Sequence, residues 1–413
     1  MNIKILVVVD SIDVNDSSGS KANVALIQNL AAIGLEIKVY HYTRKPIQLL
    51  NIQSVVIKEQ KANVWYLLSK LQLVFTRVTK ININPVIEQL FGFSFTFFND
   101  SNSIRKALEK EKTFQPDWVL TLSKAASFRP HKALLGIPKW HSKWLAYVHD
   151  PYPEHCYPRP YDWVEPGHKQ KRNFFWRITE NAKYVIYPSQ MLADWMRGYY
   201  FNQTGKEVII PHQIKEDLNF EVQESCILNK NEFILMYAGS LMDARNPKWL
   251  IEGFVNFLQN NQDAKDKAKL YFIGPSSRFD EHIKEIQKKY PQIYKSDAYM
   301  PFEEVLFLTN KVSVNIILEA ISTISPFLPG KFPHCIQANK PILLLGPYYS
   351  ESLRLLGSNY EYWSEINDSI KIEILIDKLY NNWKNKCNQT LDREDINYYL
   401  SSNYLKDLIT KLE

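Results

Sequence analysis

Short runs of apolar, often β-branched residues recur along this chain, and they restrict its fold more than any other feature. In the first half they fall at 3–9 (IKILVVV), 36–42, 54–58, 117–122, 144–148, 184–187 and 207–210. In the second half they fall at 233–238 (FILMYA), 269–273, 312–317 and 341–345. A run that is apolar at nearly every position suits a strand buried on both faces, which requires a parallel sheet covered by helices. Helical patterns lie between the runs, at 20–33 (closed by Gly34), 101–111, 189–200, 247–260 and 280–289. The order is βαβα, and it occurs twice. The expected architecture is α/β: two Rossmann-like, doubly wound domains facing across a cleft, with helices at the C-terminus. In such sheets ligands sit at the carboxyl ends of the strands.

Composition agrees with this reading. A chain of 413 residues suits two or three domains at roughly 150 residues each. Hydrophobic residues at 45% and charged residues at 23% exclude a disordered or fibrous chain. Lys and Arg exceed Asp and Glu by 50 to 44, an excess too diffuse for a nucleic-acid partner. Cys156, Cys226, Cys335 and Cys387 lie far apart with no CxxC pair, as expected in a reducing compartment. Residues 1–9 read directly as a strand and not as a signal peptide, and no apolar run approaches the roughly 18 residues of a membrane span. The expected location is cytoplasmic, with peripheral attachment at the inner face of the membrane as an option. The polar segment 213–231 after Pro211 marks the boundary, giving domains 1–212 and 213–390. A helix over 391–413 has the option of packing back on the first domain.

Several polar clusters follow strands. The first strand ends in Asp10-Ser11, and Ser17-Ser18-Gly19-Ser20 opens a helix whose free N–H groups suit a phosphate or a sugar hydroxyl. The plainer reading is an N-cap with Ser20 as the capping oxygen. GxGxxG is absent, so a dinucleotide fingerprint is not supported. In the second half, strand 233–238 ends in Gly239-Ser240, and Arg245 and Lys248 flank Pro247, a helix-start signal. These cations either bind an anion at that helix or are simply solvated. The segment 151–163 (PYPEHCYPRPYDW) reads as an ordered loop whose rings stack on a sugar, or else on one another. His149, His155, Cys156 and His168 fit no standard metal-ligand spacing, and no metal is expected. Residues 64–80 alternate at helical spacing, with Trp65, Leu68, Leu71 and Phe75 on an apolar face and Lys70, Arg77 and Lys80 on the polar side. Such a helix suits an anionic bilayer surface as well as a sheet.

The segment 325–345 (SPFLPGKFPHCIQANKPILLL) resembles the P-x-K-x-x-E-Y-L-A-x-x-K-P-I-L block of retaining, family 4-like, nucleotide-sugar-dependent glycosyltransferases of the GT-B fold. The likeness continues in order through Gly239, the basic Arg245 and Lys248, the Gly274-Pro275 turn, and 298–305 around Met300. It implies that Pro329, Gly330, Lys331 and His334 border the diphosphate and nucleoside, together with Gly19, Ser20, Gly239, Ser240, Arg245, Lys248, Gly274 and Met300. His334 stands where the family has Glu, and the E-x7-E signature is absent. The loop His149-Asp150-Pro151 is similar to the family's T-x-H-D loop. This makes His149 and Asp150 the implied catalytic pair, with Tyr152, Glu154, Tyr157 and Arg159 implied on the acceptor side. Residues 1–212 become the acceptor-side domain and 213–390 the nucleotide-sugar-binding domain. The implied enzyme moves a sugar from a nucleotide-diphosphate donor to a hydroxyl of a glycan or lipid-linked glycan, with retention, in cell-surface polysaccharide or glycoconjugate synthesis. It needs no cofactor or metal. A nucleotide-sugar 2-epimerase, or a non-catalytic glycan or nucleotide-sugar binding partner, remain as alternatives.

Overall fold

The computed structural model describes residues 3–214, 228–229, 231–275, 277–296 and 300–412. The chain forms two compact units. The first comprises Met1–Tyr157, Tyr161–Gln213 and Ser402–Glu413, and the second comprises Pro158–Pro160 and Ile214–Ser401.

The first unit is built on β1 (Lys4–Val9), β2 (Glu36–His41), β3 (Gln53–Val56), β4 (Trp118–Leu122), β5 (Trp144–Tyr147), β6 (Tyr184–Tyr187) and β7 (Glu207–Ile209). They pair in the order β3-β2-β1-β4-β5-β6-β7, all parallel. β1 is central, with Val7 level with Val39 and Leu120. Successive strand residues face opposite ways, and both faces are apolar here. Leu6 and Val8 enter one core with Phe128 and Trp144, while Ile5, Val7 and Val9 enter the other with Leu26 and Leu30. Each such side chain, removed from water, contributes about 1.5–3 kcal/mol.

The second unit repeats the plan with β8 (Phe233–Ala238), β9 (Ala268–Ile273), β10 (Ile293–Lys295), β11 (Val314–Leu318), β12 (Ile324–Ser325), β13 (Ile342–Leu345), β14 (Tyr349–Ser350) and β15 (Trp363–Ser364). Its main sheet is parallel in the order β10-β9-β8-β11-β13-β15, while β12 and β14 pair separately. Phe233, Leu235 and Tyr237 face one core, and Ile234 and Met236 the other. In both sheets the order reverses beside the first strand, at β1/β4 and at β8/β11. The loops leaving those strands diverge and open a crevice at their carboxyl ends.

Three details differ from the sequence expectation. β10, β12, β14 and β15 carry no sequence signal, because two or three residues are too few to show a period. The segment 391–413 is not one helix. Glu394–Tyr399 belongs to the second unit, where Ile396 and Leu400 pack with Leu353 and Leu356, whereas Ser402–Ile409 places Leu405 and Ile409 in the first unit's core. Ser17, not Ser20, caps helix Ser18–Ala32, its side chain accepting from the Ser20 N–H at 3.1 Å. Most of the boundary segment, at 215–227 and 230, lies outside the described residues.

Helix Val64–Thr79 inverts the usual arrangement. Its buried residues are the polar Ser69 and Gln72, and Gln72 donates to the Asn84 side chain. Trp65 stacks on Phe98 at 4.8 Å and anchors the first turn. Leu71 (56% exposed), Val74, Phe75 and Val78 (77%) stand in the open.

Candidate functional site

The second unit's crevice begins with two glycines that bring backbone against backbone. Gly239, after β8, has φ +155, and a Cβ there would lie 3.1 Å from the Tyr237 hydroxyl and 3.6 Å from Lys331 Nζ. Gly274, after β9, lies so close to Gly239 that a Cβ would come within 2.3 Å of the Gly239 carbonyl oxygen. Bare backbone at a strand's carboxyl end is what close approach of a phosphate requires.

Lys331 precedes helix Phe332–Gln337, and its Nζ sits 3.6 Å from the centre of the Tyr237 ring and 3.4 Å from the Ile316 carbonyl oxygen. Burial pushes its pKa down to about 7, and Arg245 acts in the same direction. Glu319, directly after β11, is buried. Its Oε1 accepts from the Ser352 hydroxyl at 2.5 Å, and its Oε2 has no hydrogen-bond partner. Burial raises its pKa to about 7 against the hydrogen bonds from Ser352 and Ser325 and the charge of Arg245. Burial likewise raises the Cys335 thiol to about 11, which leaves it an inert neighbour. Both groups are therefore poised to change charge near pH 7. An anion placed beside Lys331 would favour its charged form and draw a proton onto the amine.

Of the residues expected here, the structure brings together Gly239, Arg245, Gly274 and Lys331, and the Ser240 carbonyl receives the Tyr237 hydroxyl at 2.9 Å. Lys248 does not join them: it is exposed, 5.8 Å from the Trp249 ring. The helix after Gly239 starts at Lys248 with Pro247 as its cap, so no helix N-terminus stands at Gly239 itself. The Pro329 carbonyl accepts from Phe332 N–H, Gly330 is exposed, and the His334 ring lies 5.4 Å from Phe302. Met300 packs against the core around Ile234, while Ser276, Ala298 and Tyr299 lie outside the described residues.

The remaining expected residues belong to the first unit, except Arg159, which falls in the second. A Cβ on Gly19 would lie 3.5 Å from Lys124 Cγ, and Ser20 is buried with its hydroxyl on Ser17. His149, after β5, is buried. Its Nε2 lies 2.7 Å from Asn23 Oδ1, its Nδ1 lies 3.3 Å from His212 Nε2, and its N–H donates to Ser123 Oγ. Asn23 Oδ1 can only accept, so His149 carries its proton on Nε2. Burial holds the ring's pKa well below the usual value, with His212 and His131 adding to the effect. Asp150 interacts with Tyr157. Tyr152 is not on a binding surface: it is buried in the core with its ring 4.3 Å from Phe128, and its carbonyl accepts from Tyr200. The Glu154 N–H donates to Glu165, Tyr157 packs on Tyr161 and Trp163, and Arg159 is exposed. The loop's rings thus pack largely on one another, the plainer of its two sequence readings. Glu319, Tyr237, Asn23 and His212 were not singled out in the sequence. Glu319 carries a signal, as the first polar residue after the apolar run 316–318.

No family model and no curated protein matches the sequence. Solved structures do match the fold over nearly the whole chain. Sucrose-phosphate synthase from Thermosynechococcus elongatus aligns with a TM-score of 0.60 at 12% identity, covering 99% of each chain. An α,α-trehalose-phosphate synthase (UDP-forming) from Burkholderia xenovorans, in complex with glucose-6-phosphate, aligns at 0.60 and 8% identity, covering 98% of this chain and 100% of that one. WaaG, a glycosyltransferase involved in lipopolysaccharide biosynthesis, aligns at 0.59 and 11% identity, covering 99% and 100%. The two Rossmann-like units are those of the GT-B fold.

Proposed function

We propose that this protein is a glycosyltransferase. Its second unit holds a nucleotide-diphosphate sugar, and the sugar passes to a hydroxyl of a glycan or lipid-linked glycan during cell-surface polysaccharide or glycoconjugate synthesis. The observation that carries this reading is Lys331, held over Tyr237 beside Arg245 and two glycines that bare the backbone. The bond from the anomeric carbon to the diphosphate breaks, and a bond to the acceptor oxygen forms. The hydroxyl proton leaves with the diphosphate, whose charge Lys331 and Arg245 stabilise. Retention is the expected outcome. His149 and Asp150 orient the sugar, a sugar hydroxyl replacing the longer 3.3 Å contact of His149 with His212. The fold likeness to sugar-phosphate synthases and to WaaG supports the reading. Incubation with a panel of nucleotide sugars should release free nucleoside diphosphate with one donor class, and proton NMR of the product should show a retained anomer. Absence of release across the panel would refute enzymatic transfer.

The same reading places the enzyme at an anionic membrane surface. Val64, Leu67, Leu71, Val74 and Val78 on helix Val64–Thr79 are exposed, as are Val86, Leu90 (67%) and Phe91 on helix Asn84–Phe91. Lys61, Lys70, Arg77 and Lys80 lie along this stretch, and no Asp or Glu occurs between Lys61 and Ile87. An apolar face flanked mainly by cations, its one acidic neighbour Glu88 being paired with Lys171 at 2.9 Å, suits acyl chains beneath anionic headgroups. Among the described residues no helix is long and apolar enough to cross a membrane. Co-sedimentation should show binding to phosphatidylglycerol vesicles but not to phosphatidylcholine vesicles, weakened by replacing Lys70, Arg77 and Lys80 with Gln. Equal binding to both vesicle types would remove the role of charge.

A further inference from the structure

The first unit has its own cavity, of about 630 Å³, at the carboxyl ends of β1, β2 and β4. None of the residues that line it was among the expected site residues. Its charges balance. Arg44, Lys45, Lys124 and Arg129 line it, and so do Asp10, Asp13, Asp16 and Asp100. Each cation has a carboxylate: Arg44 meets Asp100 at 2.9 Å and Arg129 meets the same group at 3.0 Å. Lys45 meets Asp13 at 2.7 Å and Lys124 meets Asp16 at 2.5 Å. Every cation of the lining thus already lies against a carboxylate, and an entering anion has to compete with these pairs.

Asp10 is the most weakly paired of the four carboxylates, 3.8 Å from Arg129, which lies closer to Asp100. It follows β1 directly and is 8% exposed, and its Oδ2 accepts from the Ser127 hydroxyl while its Oδ1 has no hydrogen-bond partner. A buried acceptor without a donor costs about 1–3 kcal/mol, which a ligand hydroxyl recovers by donating to it. Burial also raises the Asp10 pKa against the pull of Arg129. Paired charges around a cavity present donors and acceptors in fixed positions without a net field, and this suits a ligand that is polar, rich in hydroxyls and uncharged.

We propose that this cavity binds the acceptor as an uncharged sugar residue, with Asp10 accepting a hydrogen bond from one of its hydroxyls, and that it discriminates against sugar phosphates. This rests on the glycosyltransferase reading and separates the chain from the Burkholderia xenovorans enzyme, whose structure holds glucose-6-phosphate. The sugar comes either from a soluble glycan or from the terminal residue of a lipid-linked one.

The test is saturation-transfer NMR with titration on the full chain, using methyl glycosides of the common hexoses, their octyl counterparts and the matching hexose 6-phosphates. Nucleoside diphosphate binding is read in the same samples, so failure of the donor reading appears there and failure of this proposal appears in the glycosides. At least one methyl glycoside should bind more tightly than its 6-phosphate, and Asp10→Ala should weaken it about tenfold. Tighter binding of the octyl form identifies a lipid-linked source, and equal binding a soluble one; both support the site. Asp16→Asn is exposed enough to fold normally, unpairs Lys124, and should shift the preference toward the 6-phosphate by about threefold or more. The proposal is overturned if no glycoside binds while nucleotide does, if the wild-type chain prefers the phosphates, or if both substitutions leave the preference unmoved.

Discussion

The two units wind their sheets in the same order, yet the crevices at their switch points hold opposite chemistry. In the first unit the residue after the leading strand is Asp10, and the crevice is an open cavity walled by four cations and four carboxylates. In the second the corresponding residue is Gly239. There glycine backbone packs on glycine backbone, beside an amine and a carboxyl whose pKa values burial brings to about 7. Topology supplies a place for a ligand in each unit, and the first residue past the strand decides what kind. A side-chain carboxylate seeks a donor, whereas bare backbone and an uncompensated amine seek an anion.

The largest expected break in this contrast comes from the amine. Lys331→Ala should lower turnover roughly 30- to 1000-fold, equivalent to about 2–4 kcal/mol, with the fold retained by circular dichroism. Full activity in this variant would remove the second crevice from the donor role. Next are the glycines. Gly274→Ala drives a Cβ to 2.3 Å from the Gly239 carbonyl and should cost about 1–3 kcal/mol in urea unfolding. Gly19→Ala meets only the flexible Lys124 side chain at 3.5 Å and should be neutral or slightly stabilising, since alanine is the better helix former.

The paired titrations give a third, smaller effect. Glu319 is raised from 4.5 to about 7, so between those values the folded chain holds the extra proton and stability falls as pH rises. Lys331 is lowered from 10.5 to about 7, so above 7 the unfolded chain holds the extra proton and stability rises with pH. Together they make a shallow stability minimum near pH 7. The double variant Glu319→Gln, Lys331→Met should flatten a melting-temperature profile taken from pH 5 to pH 10. A profile unchanged by the double variant would show that neither group is shifted. At the helix cap, Ser17→Ala should cost about 1 kcal/mol of first-unit stability by freeing the Ser20 N–H. A change in donor affinity in the same variant would bring Gly19 and Ser20 into the donor site.

The sheets were legible because strands buried on both faces leave uninterrupted apolar runs, as in Ile5–Val9 and Phe233–Tyr237, and such runs need no knowledge of neighbours. The Lys331 loop was legible because its proline and glycine spacing is unusual for a simple turn. The first cavity was not. Arg44, Asp100 and Arg129 come from three separate stretches and acquire meaning only as an ion-paired cluster, which no local pattern encodes. Tyr152 misled for the converse reason. Its aromatic, proline-rich surroundings look the same in a sequence whether the rings face a sugar or, as here, Phe128 and Phe175. For helix Val64–Thr79 the period picked Trp65, Leu68, Leu71 and Phe75, yet Trp65 packs inward on Phe98. The exposed stripe runs through Val64, Leu67, Leu71, Val74 and Val78, because a helix apolar on most sides offers no single face to a period.

The return of the chain to the first unit at Ser402 fixes an order of events during synthesis. The first sheet emerges from the ribosome early, but Leu405 and Ile409, which pack with Leu26 and Leu30, follow only after the second unit's residues. The second unit takes no residue beyond Ser401, so its chain is complete while the first unit's core around Leu26 and Leu30 still lacks Leu405 and Ile409. Translation that stops just short of Ser402 therefore leaves the late half finished and the early half incomplete. A nascent chain of this protein exposes its unfinished surface where its oldest residues lie.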